Sequence, residues 1–327
     1  MQTNTTGRWP AIAVVSAAVA LVLAACSGGG TTDAGAGDDT PEPLTVGLVP
    51  VTNAGAFYAA QGLGYFEENG LEVSSETIAG GAALIPALES GAMQTGFGSI
   101  DKVIQAGEQG LDIKCLTGTA QGNESVKIMV APDRADAITT PADLEGRIIA
   151  VNALANINQI VAQSWLDENG VDPFSPQFVA VAFPDMLAAL EEGRVDAAVV
   201  GEPFTTLGIK AGIPVLDENP VAAVGDRVAY SCWIVSGAWL AEHEAEARAF
   251  VAALDRAIAY LDENPDYLRE ILPTYTGLDQ EVADTVILPA ISSELEPADI
   301  DLLQERALQL GIIKSPVDPA TLIANLN

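Results

Sequence analysis

Glu202 is the residue whose type and position bear most directly on ligand chemistry. It lies in the turn "GEPF" (201–204), directly after the small apolar run "AAVV" (197–200). A lone acid at the end of a buried strand favours an amine, a protonated heterocycle or a hydroxyl group over a bare anion. The other turns expected beside it contain no Lys or Arg except Lys102, just inside a helix. We therefore expect a nitrogen-containing organic ligand.

Other turns supply the glycines, amides, hydroxyls and rings that a small-molecule site needs. Gly80-Gly81 would let the backbone approach a ligand and precedes a helix N-terminus, although a plain turn fits equally well. Ser99 could contact a ligand or cap the next helix, and the amides of "NALANIN" (152–158) could do the same. The rings could be cavity walls or ordinary core. The expected binding residues are Thr52, Asn53, Phe57, Tyr58, Gly80, Gly81, Ser99, Asn152, Asn156, Glu202, Phe204 and Trp233.

The histidine count limits the possible catalytic chemistry. The only histidine, His243, lies in the charged helical stretch "AEHEAEARAF". One histidine excludes a metal site built from several histidines, and its position is unsuited to a Ser-His-Asp arrangement. We expect no enzyme activity, no metal and no cofactor.

Two nearly identical pentapeptides show how these turns are positioned. "ALESG" (87–91) and "ALEEG" (189–193) each end a helical stretch at a glycine, and each is followed by a strand of small residues and a turn. Alternating strand and helix patterns run through 44–204, which is typical of a sheet flanked by helices. Open sheets of this kind bind ligands at the carboxyl ends of their strands. A common helix ending would explain the pentapeptides alone, but not the matching strand and turn after each.

The charge of the chain excludes one class of partner. The formal net charge is −31, from 45 acidic and 14 basic residues. A surface this acidic repels phosphate backbones, so we expect no nucleic-acid binding.

The N-terminus has the pattern of an export signal. An apolar run (11–26) is shorter than the roughly 20 residues that span a membrane, and it ends in "LAAC". This ending resembles a bacterial lipobox, so 1–26 is predicted to be a lipoprotein signal peptide with Cys26 lipidated; an ordinary signal peptide is the alternative. Residues 27–43 are Gly-rich and polar and predict a flexible linker.

Export would permit a disulfide between Cys115 and Cys232, but the sequence leaves open whether they meet.

Five stretches together resemble a known family. They are "LTVGLVPVTNAGAFYAAQGLGYFEENGLEV" (44–73), "GGAALIPALESGAMQTGFGS" (80–99), "TPADLEGRIIAV" (140–151), "WLDENGVDP" (165–173) and "ALEEGRVDAAVVGEPF" (189–204). Their order is similar to that in type II periplasmic substrate-binding proteins of ABC importers, in the branch for sulfonates, nitrate, taurine and thiamine-pyrimidine precursors. Gln94 departs from the family's usual Asp, which the second copy keeps as Asp196. We interpret that position as structural.

The resemblance implies an α/β fold of two lobes, each a mixed, mostly parallel sheet flanked by helices. Lobe one would combine 44–135 with 226–327, and lobe two would hold 136–225. A small-molecule ligand would be captured in the cleft between them, which closes like a hinge.

The implied partners are an ABC permease and its ATPase. The protein would act as a monomer at the extracytoplasmic face of a bacterial cell membrane, contacting the membrane only through its lipid anchor. Two alternatives stay open: an enzyme similar to fungal thiamine-pyrimidine synthases, although the Cys-rich motif of those enzymes is missing here, and a ligand-sensing module for a signalling partner.

Overall fold

The computed structural model describes residues 43–78, 80–121, 125–225 and 228–326, which form two mixed sheets. Sheet 1 has the strand order β11-β4-β10-β3-β1-β2, and sheet 2 has the order β7-β6-β8-β5-β9. The strands of sheet 1 are β1 (Leu44–Leu48), β2 (Val73–Thr77), β3 (Thr95–Ser99), β4 (Ile113–Gln121), β10 (Ala229–Ser236) and β11 (Ala290–Ile291). Those of sheet 2 are β5 (Val126–Val130), β6 (Ile148–Val151), β7 (Gln177–Ala180), β8 (Ala197–Gly201) and β9 (Val215–Asp217).

Twelve α-helices lie among the described residues and accompany the sheets. They are α1 (Gly55–Gly62), α2 (Tyr65–Glu68), α3 (Gly81–Glu89), α4 (Ile100–Glu108), α5 (Ile157–Glu168), α6 (Phe183–Glu191), α7 (Phe204–Lys210), α8 (Gly237–Glu242), α9 (Glu244–Glu263), α10 (Pro265–Thr276), α11 (Gln280–Ala283) and α12 (Pro297–Gln309). Local sequence explains several of the ends. Asn156 caps α5 by accepting a hydrogen bond from the Gln159 N–H, and Gly277 ends α10 in the left-handed conformation.

The predicted α/β fold with mixed sheets is confirmed, but the sheets are not mostly parallel. Four of the nine strand pairings among the described residues are parallel and five are antiparallel. β5 follows β4 and β10 follows β9 after the chain passes from one sheet to the other. Neither strand is reached through a helical crossover within its own sheet, and each pairs antiparallel with its neighbours.

The repeated pentapeptides occupy equivalent places in the two sheets. The first ends α3, which leads into β3, and β3 pairs parallel with β1. The second ends α6, which leads into β8, and β8 pairs parallel with β6. The residue before that strand is Gln94 in one copy, where its Oε1 accepts from the Thr45 N–H at 2.8 Å, and Asp196 in the other, where Oδ2 accepts from the Ile148 N–H at 2.8 Å. Both side chains satisfy a backbone donor at the start of the neighbouring strand. This supports the structural interpretation of the position, and an amide serves it as well as an acid.

The chain contributes to sheet 1 before and after sheet 2. Strands of sheet 1 come from 44–121 and 229–291, and those of sheet 2 come from 126–217. The lobe boundaries given above stay a prediction. The signal peptide (1–26) with Cys26, and the linker (27–43) except for its last residue, lie outside the described residues. In the described part of the chain, no helix combines the length and apolar character needed to cross a membrane.

A disulfide and an aromatic cluster stabilise the interior of sheet 1. Cys115 on β4 and Cys232 on β10 form a disulfide, and both residues are fully buried. Next to Cys232, the Trp233 ring lies 5.7 Å from that of Phe57, 6.0 Å from that of Phe97 and 5.4 Å from that of Phe250. Rings at these separations make favourable edge and tilted contacts.

Candidate functional site

A cavity of about 390 Å³ lies where the carboxyl ends of strands from both sheets meet. Sheet 1 contributes Val49 to Val51 after β1, Thr77 and Ile78 at the end of β2, and Phe97 to Ser99 in β3. Sheet 2 contributes Asn152 after β6 and Gly201 with Glu202 at the end of β8. Open α/β sheets place ligands at this edge, and the volume is within the range of small-molecule sites.

Seven of the twelve predicted binding residues line this cavity, and four do not. The lining residues are Asn53, Gly80, Ser99, Asn152, Asn156, Glu202 and Phe204, and the four others are Thr52, Phe57, Tyr58 and Trp233. Gly81, the twelfth, is the first residue of α3. Position in the wall is not contact with a ligand, so the binding roles stay predictions.

The residues outside the wall have identifiable packing roles. Thr52 is buried and donates its hydroxyl hydrogen to Asn53 Oδ1 at 3.3 Å. Phe57 and Trp233 belong to the aromatic core, and Trp233 is only 1% exposed. Tyr58 stacks on Tyr275, with ring centres 3.8 Å apart, and burial raises the pKa of both phenols. The alternative that these rings are core is therefore favoured by the packing.

Glu202 lines the cavity, but its carboxylate oxygens already have partners in the protein. The residue is 3% exposed, and its Oε1 accepts from the Thr206 hydroxyl at 2.8 Å and from the Ile287 N–H at 3.3 Å. Oε2 accepts from the Thr206 N–H at 3.1 Å, in the first turn of α7. A carboxylate beside a helix N-terminus is stabilised by the free N–H groups there. The argument that this acid selects an amine therefore loses its basis.

Four neighbouring side chains in the cavity wall form a hydrogen-bonded network. Asn152 Oδ1 accepts from the Nδ2 groups of Asn156 and Asn158, both at 2.6 Å. Asn158 Oδ1 in turn accepts from the Tyr230 hydroxyl, which joins α5 to β10 of sheet 1. Burial, with a smaller contribution from the negative charge of Asp101, raises the pKa of Tyr230, so the phenol stays protonated and acts as a donor.

The wall contains amide donors that have no protein acceptor among the described residues. The side-chain oxygens of Asn53, Asn152, Asn156 and Asn158 each accept a hydrogen bond from the protein. Among the described residues, no protein acceptor binds Nδ2 of Asn53 or of Asn152. The first N–H groups of a helix have no intrahelical partner, and Ser99, which precedes α4, does not cap them with its side chain. Gly80, which precedes α3, has no side chain that could do so. The cavity therefore suits a molecule that presents hydrogen-bond acceptors.

Several lining residues are not among those predicted from the sequence. They are aromatic or polar: Phe97, Ser125, Phe183, Tyr230 and Ser231. Asn158, one of the amides of 152–158 considered above, also lines the cavity. The rings of Phe183 and Phe204 lie nearly parallel, 6.0 Å apart, and form an aromatic wall. Phe183 follows the strand-like run "QFVAVA" at its carboxyl end, and this position is a usable signal.

Comparison with known proteins now identifies the family. Residues 51–267 match the model of the NMT1/THI5-like family. The chain belongs to this family. Together with the relatives of this NMT1/THI5-like chain described next, this match confirms the resemblance to periplasmic substrate-binding proteins.

Two curated relatives are a binding protein and an import protein. The chain is 26% identical over 204 residues to the taurine-binding periplasmic protein of Escherichia coli K12, covering 62% of this chain and 61% of that protein. It is 24% identical over 270 residues to the nitrate import ATP-binding protein NrtC of Synechocystis, covering 73% of this chain and 38% of that protein. The chain thus spans less than two thirds of the length of either relative.

Solved structures show the same fold. The aliphatic sulphonate binding protein SsuA of Escherichia coli superposes with a TM-score of 0.72 at 19% identity, over 86% of this chain and 97% of that one. The nitrate-binding protein NrtA of Synechocystis superposes with a TM-score of 0.72 at 15% identity, over 85% of this chain and 83% of that one. At these identities the similarity concerns the fold alone.

Proposed function

We propose that this protein is the substrate-binding subunit of an ABC importer and that it captures a small organic molecule without transforming it. The observation that carries the proposal is the cavity, whose wall combines uncommitted donors from both sheets. Membership of the NMT1/THI5-like family and the taurine-binding relative support a transport role. His243 is not among the lining residues, and Glu202 has its oxygens hydrogen-bonded, which supports binding over acid–base catalysis.

The ligand we propose is a nitrogen-containing organic molecule that is planar in part. Phe183 and Phe204 offer an aromatic surface for a ring, and Asn53 and Asn152 offer amide donors to ring nitrogens or carbonyl oxygens. The proposed ligand still contains nitrogen, as expected from the sequence. The group that the protein recognises is now a hydrogen-bond acceptor of the ligand rather than a charged ammonium. Within the described part of the wall there is no Lys, Arg or His to neutralise a simple anion.

The proposed partners and location follow from the same assignment. A permease and its ATPase would receive the loaded protein, which would be anchored through lipidated Cys26 at the extracytoplasmic face of the cell membrane and act as a monomer. The Gly-rich, polar linker predicted for 27–43 would allow the folded part to reach the permease.

A thermal-shift screen of the full chain in mild detergent tests the proposal. The panel contains a thiamine-pyrimidine precursor, riboflavin, taurine, an alkanesulfonate and nitrate. A ligand at about 100 times its Kd stabilises the folded state by about 2.7 kcal/mol, which is readily measured as a rise in Tm. We expect a planar nitrogen-containing compound to raise Tm and nitrate to leave it unchanged. A rise with nitrate alone would refute the ligand class, and no rise with any compound would count against the proposed function.

A further inference from the structure

A buried carboxylate on α4, the helix after β3 of sheet 1, accepts a hydrogen bond from the backbone of α5, the helix after β6 of sheet 2. Asp101, in the first turn of α4, is 1% exposed, and its Oδ1 accepts from the Ile157 N–H at 3.1 Å, at the start of α5. Its neighbours hold the same turn, because Lys102 Nζ and Gln105 Nε2 both donate to the Ala155 carbonyl oxygen at 2.7 Å. Both a donor and an acceptor of the turn before α5 are therefore bound by side chains of α4.

The reverse contact lies at another part of the cavity wall. Glu202 follows β8 of sheet 2, and its Oε1 accepts from the Ile287 N–H at 3.3 Å. Ile287 precedes β11, which pairs with β4 in sheet 1. Each carboxylate therefore takes a backbone N–H from the segment attached to the other sheet.

We propose that Asp101 and Glu202 are positioning residues that form reciprocal latches and hold the cavity walls together before a ligand enters. Hydrogen bonds to ionised carboxylates are stronger than neutral ones, and a buried carboxylate that loses its donor is costly, so each contact favours the joined arrangement. The Asp101 latch fixes the turn that carries Asn156 and Ile157, and Glu202 itself lies in the wall. A site already organised loses less conformational freedom when it binds, so the latches would raise affinity. Only this last effect rests on the proposed function.

Hydrogen exchange at single amides, measured on the full chain in mild detergent without ligand, tests the latches. Asp101→Ala removes the acceptor of the Ile157 N–H but touches nothing near Ile287. If both latches break in one shared opening motion of the cavity walls, this variant also raises the exchange rate of the distant Ile287 amide. The increase is about tenfold if the free energy of that opening falls by about 1.4 kcal/mol. Glu202→Ala is expected to raise exchange at Ile157 in the same way. Lys102→Met, which keeps Asp101 and the aliphatic stem, is expected to give the same pattern with a smaller increase.

Asp266→Ala is the matched control, because Asp266 lies in the first turn of α10, is exposed and makes no contact between the sheets. It should change neither amide. Circular dichroism establishes whether each variant is folded. If Asp101→Ala does not fold, the exchange rates of the Lys102→Met variant test the proposal instead. Increases confined to the amide that each side chain contacts, or no increase, would overturn the proposal. Coupled increases without any thermal shift in the ligand screen would leave the latches standing and count against the transport function alone.

Discussion

Cys115 on β4 and Cys232 on β10 are joined by a disulfide, with their Cα atoms 5.6 Å apart and a sequence separation of 117. The bond ties together neighbouring strands of sheet 1, and the residues just before Cys232 are Tyr230 and Ser231, which enter the cavity wall. The disulfide therefore stabilises the strand that carries part of the site.

Replacing both cysteines by serine is expected to lower the free energy of unfolding. A disulfide that closes a loop of about 100 residues stabilises a protein by about 4.7 kcal/mol in the chain-entropy model. Guanidinium unfolding of wild type and of the Cys115→Ser/Cys232→Ser variant measures the difference. Wild type in reductant should unfold like the variant, and equal midpoints for oxidised wild type and the variant would show that the bond does not form.

Asp143 should make stability depend on pH in the acid range. Its carboxylate accepts from the Thr139 N–H and from the hydroxyl and N–H of Thr140, and these bonds lower the pKa of Asp143. A carboxyl whose pKa is lower in the folded state stabilises it above the unfolded pKa, and the contribution is lost as pH falls through the folded pKa.

The variant Asp143→Ala should therefore melt at a lower temperature than wild type at neutral pH. The gap should narrow as the pH drops below about 4, the usual range for an aspartate. Melting curves across this range measure it, with Asp136→Ala, a nearby exposed acid, as the control. A gap that is constant with pH would contradict a role for the charge.

The repeated pattern makes much of the fold predictable. Helix, glycine, strand and turn recur with the right spacing at both pentapeptides, and this pattern alone places Ser99 and Glu202 at strand ends. Alternation along a strand does not tell which face meets a cavity and which meets the core, because both faces of these strands are buried. Trp233 illustrates this, because its ring packs in the aromatic core while Ser231, two residues earlier on the same strand, lines the cavity.

Hydrogen-bond partners distant in sequence are beyond prediction from local patterns. The pattern places Glu202 correctly at the strand end, but the donor on Ile287 is 85 residues away and belongs to no pattern shared with it. The chemistry inferred from a lone acid changes once that acid is known to be paired. Asn158 shows the converse, because its role depends on Tyr230, which lies 72 residues later in the chain.

Cys26→Ser should release the protein from membranes if the lipobox is processed. A lipidated cysteine anchors through buried acyl chains, and serine cannot accept the thioether-linked lipid. Membrane and soluble fractions of cells producing either form, compared by immunoblotting, measure the effect. Thr31→Ala, a substitution in the predicted linker, is the control. An unchanged membrane fraction for Cys26→Ser would refute lipidation at this residue.

Phe183→Ala should weaken binding of a ring-containing ligand. Phe183 lies nearly parallel to Phe204 in the wall, and a stacked aromatic contact contributes about 0.5 to 1.5 kcal/mol beyond the area buried. Isothermal titration with the compound selected by the thermal-shift screen should show a Kd raised by about 2- to 12-fold, as 1.4 kcal/mol is a factor of 10. Phe174→Ala, at an exposed ring outside the wall, should leave the Kd unchanged. An unchanged Kd for Phe183→Ala would indicate that the ligand does not use the aromatic wall.

Asn53→Asp separates the two possible ligand chemistries by the sign of its effect. The Asn53 oxygen already accepts from the Thr52 hydroxyl, so its Nδ2 is the group available in the wall. Aspartate keeps the size but replaces that donor with a charged acceptor. A ligand presenting ring nitrogens or carbonyl oxygens should bind about 5- to 150-fold more weakly, as expected for losing about 1 to 3 kcal/mol. Tighter binding would reverse our assignment and favour an ammonium group. Asn219→Asp adds the same charge at an exposed position outside the wall, so its Kd corrects for the change in net charge.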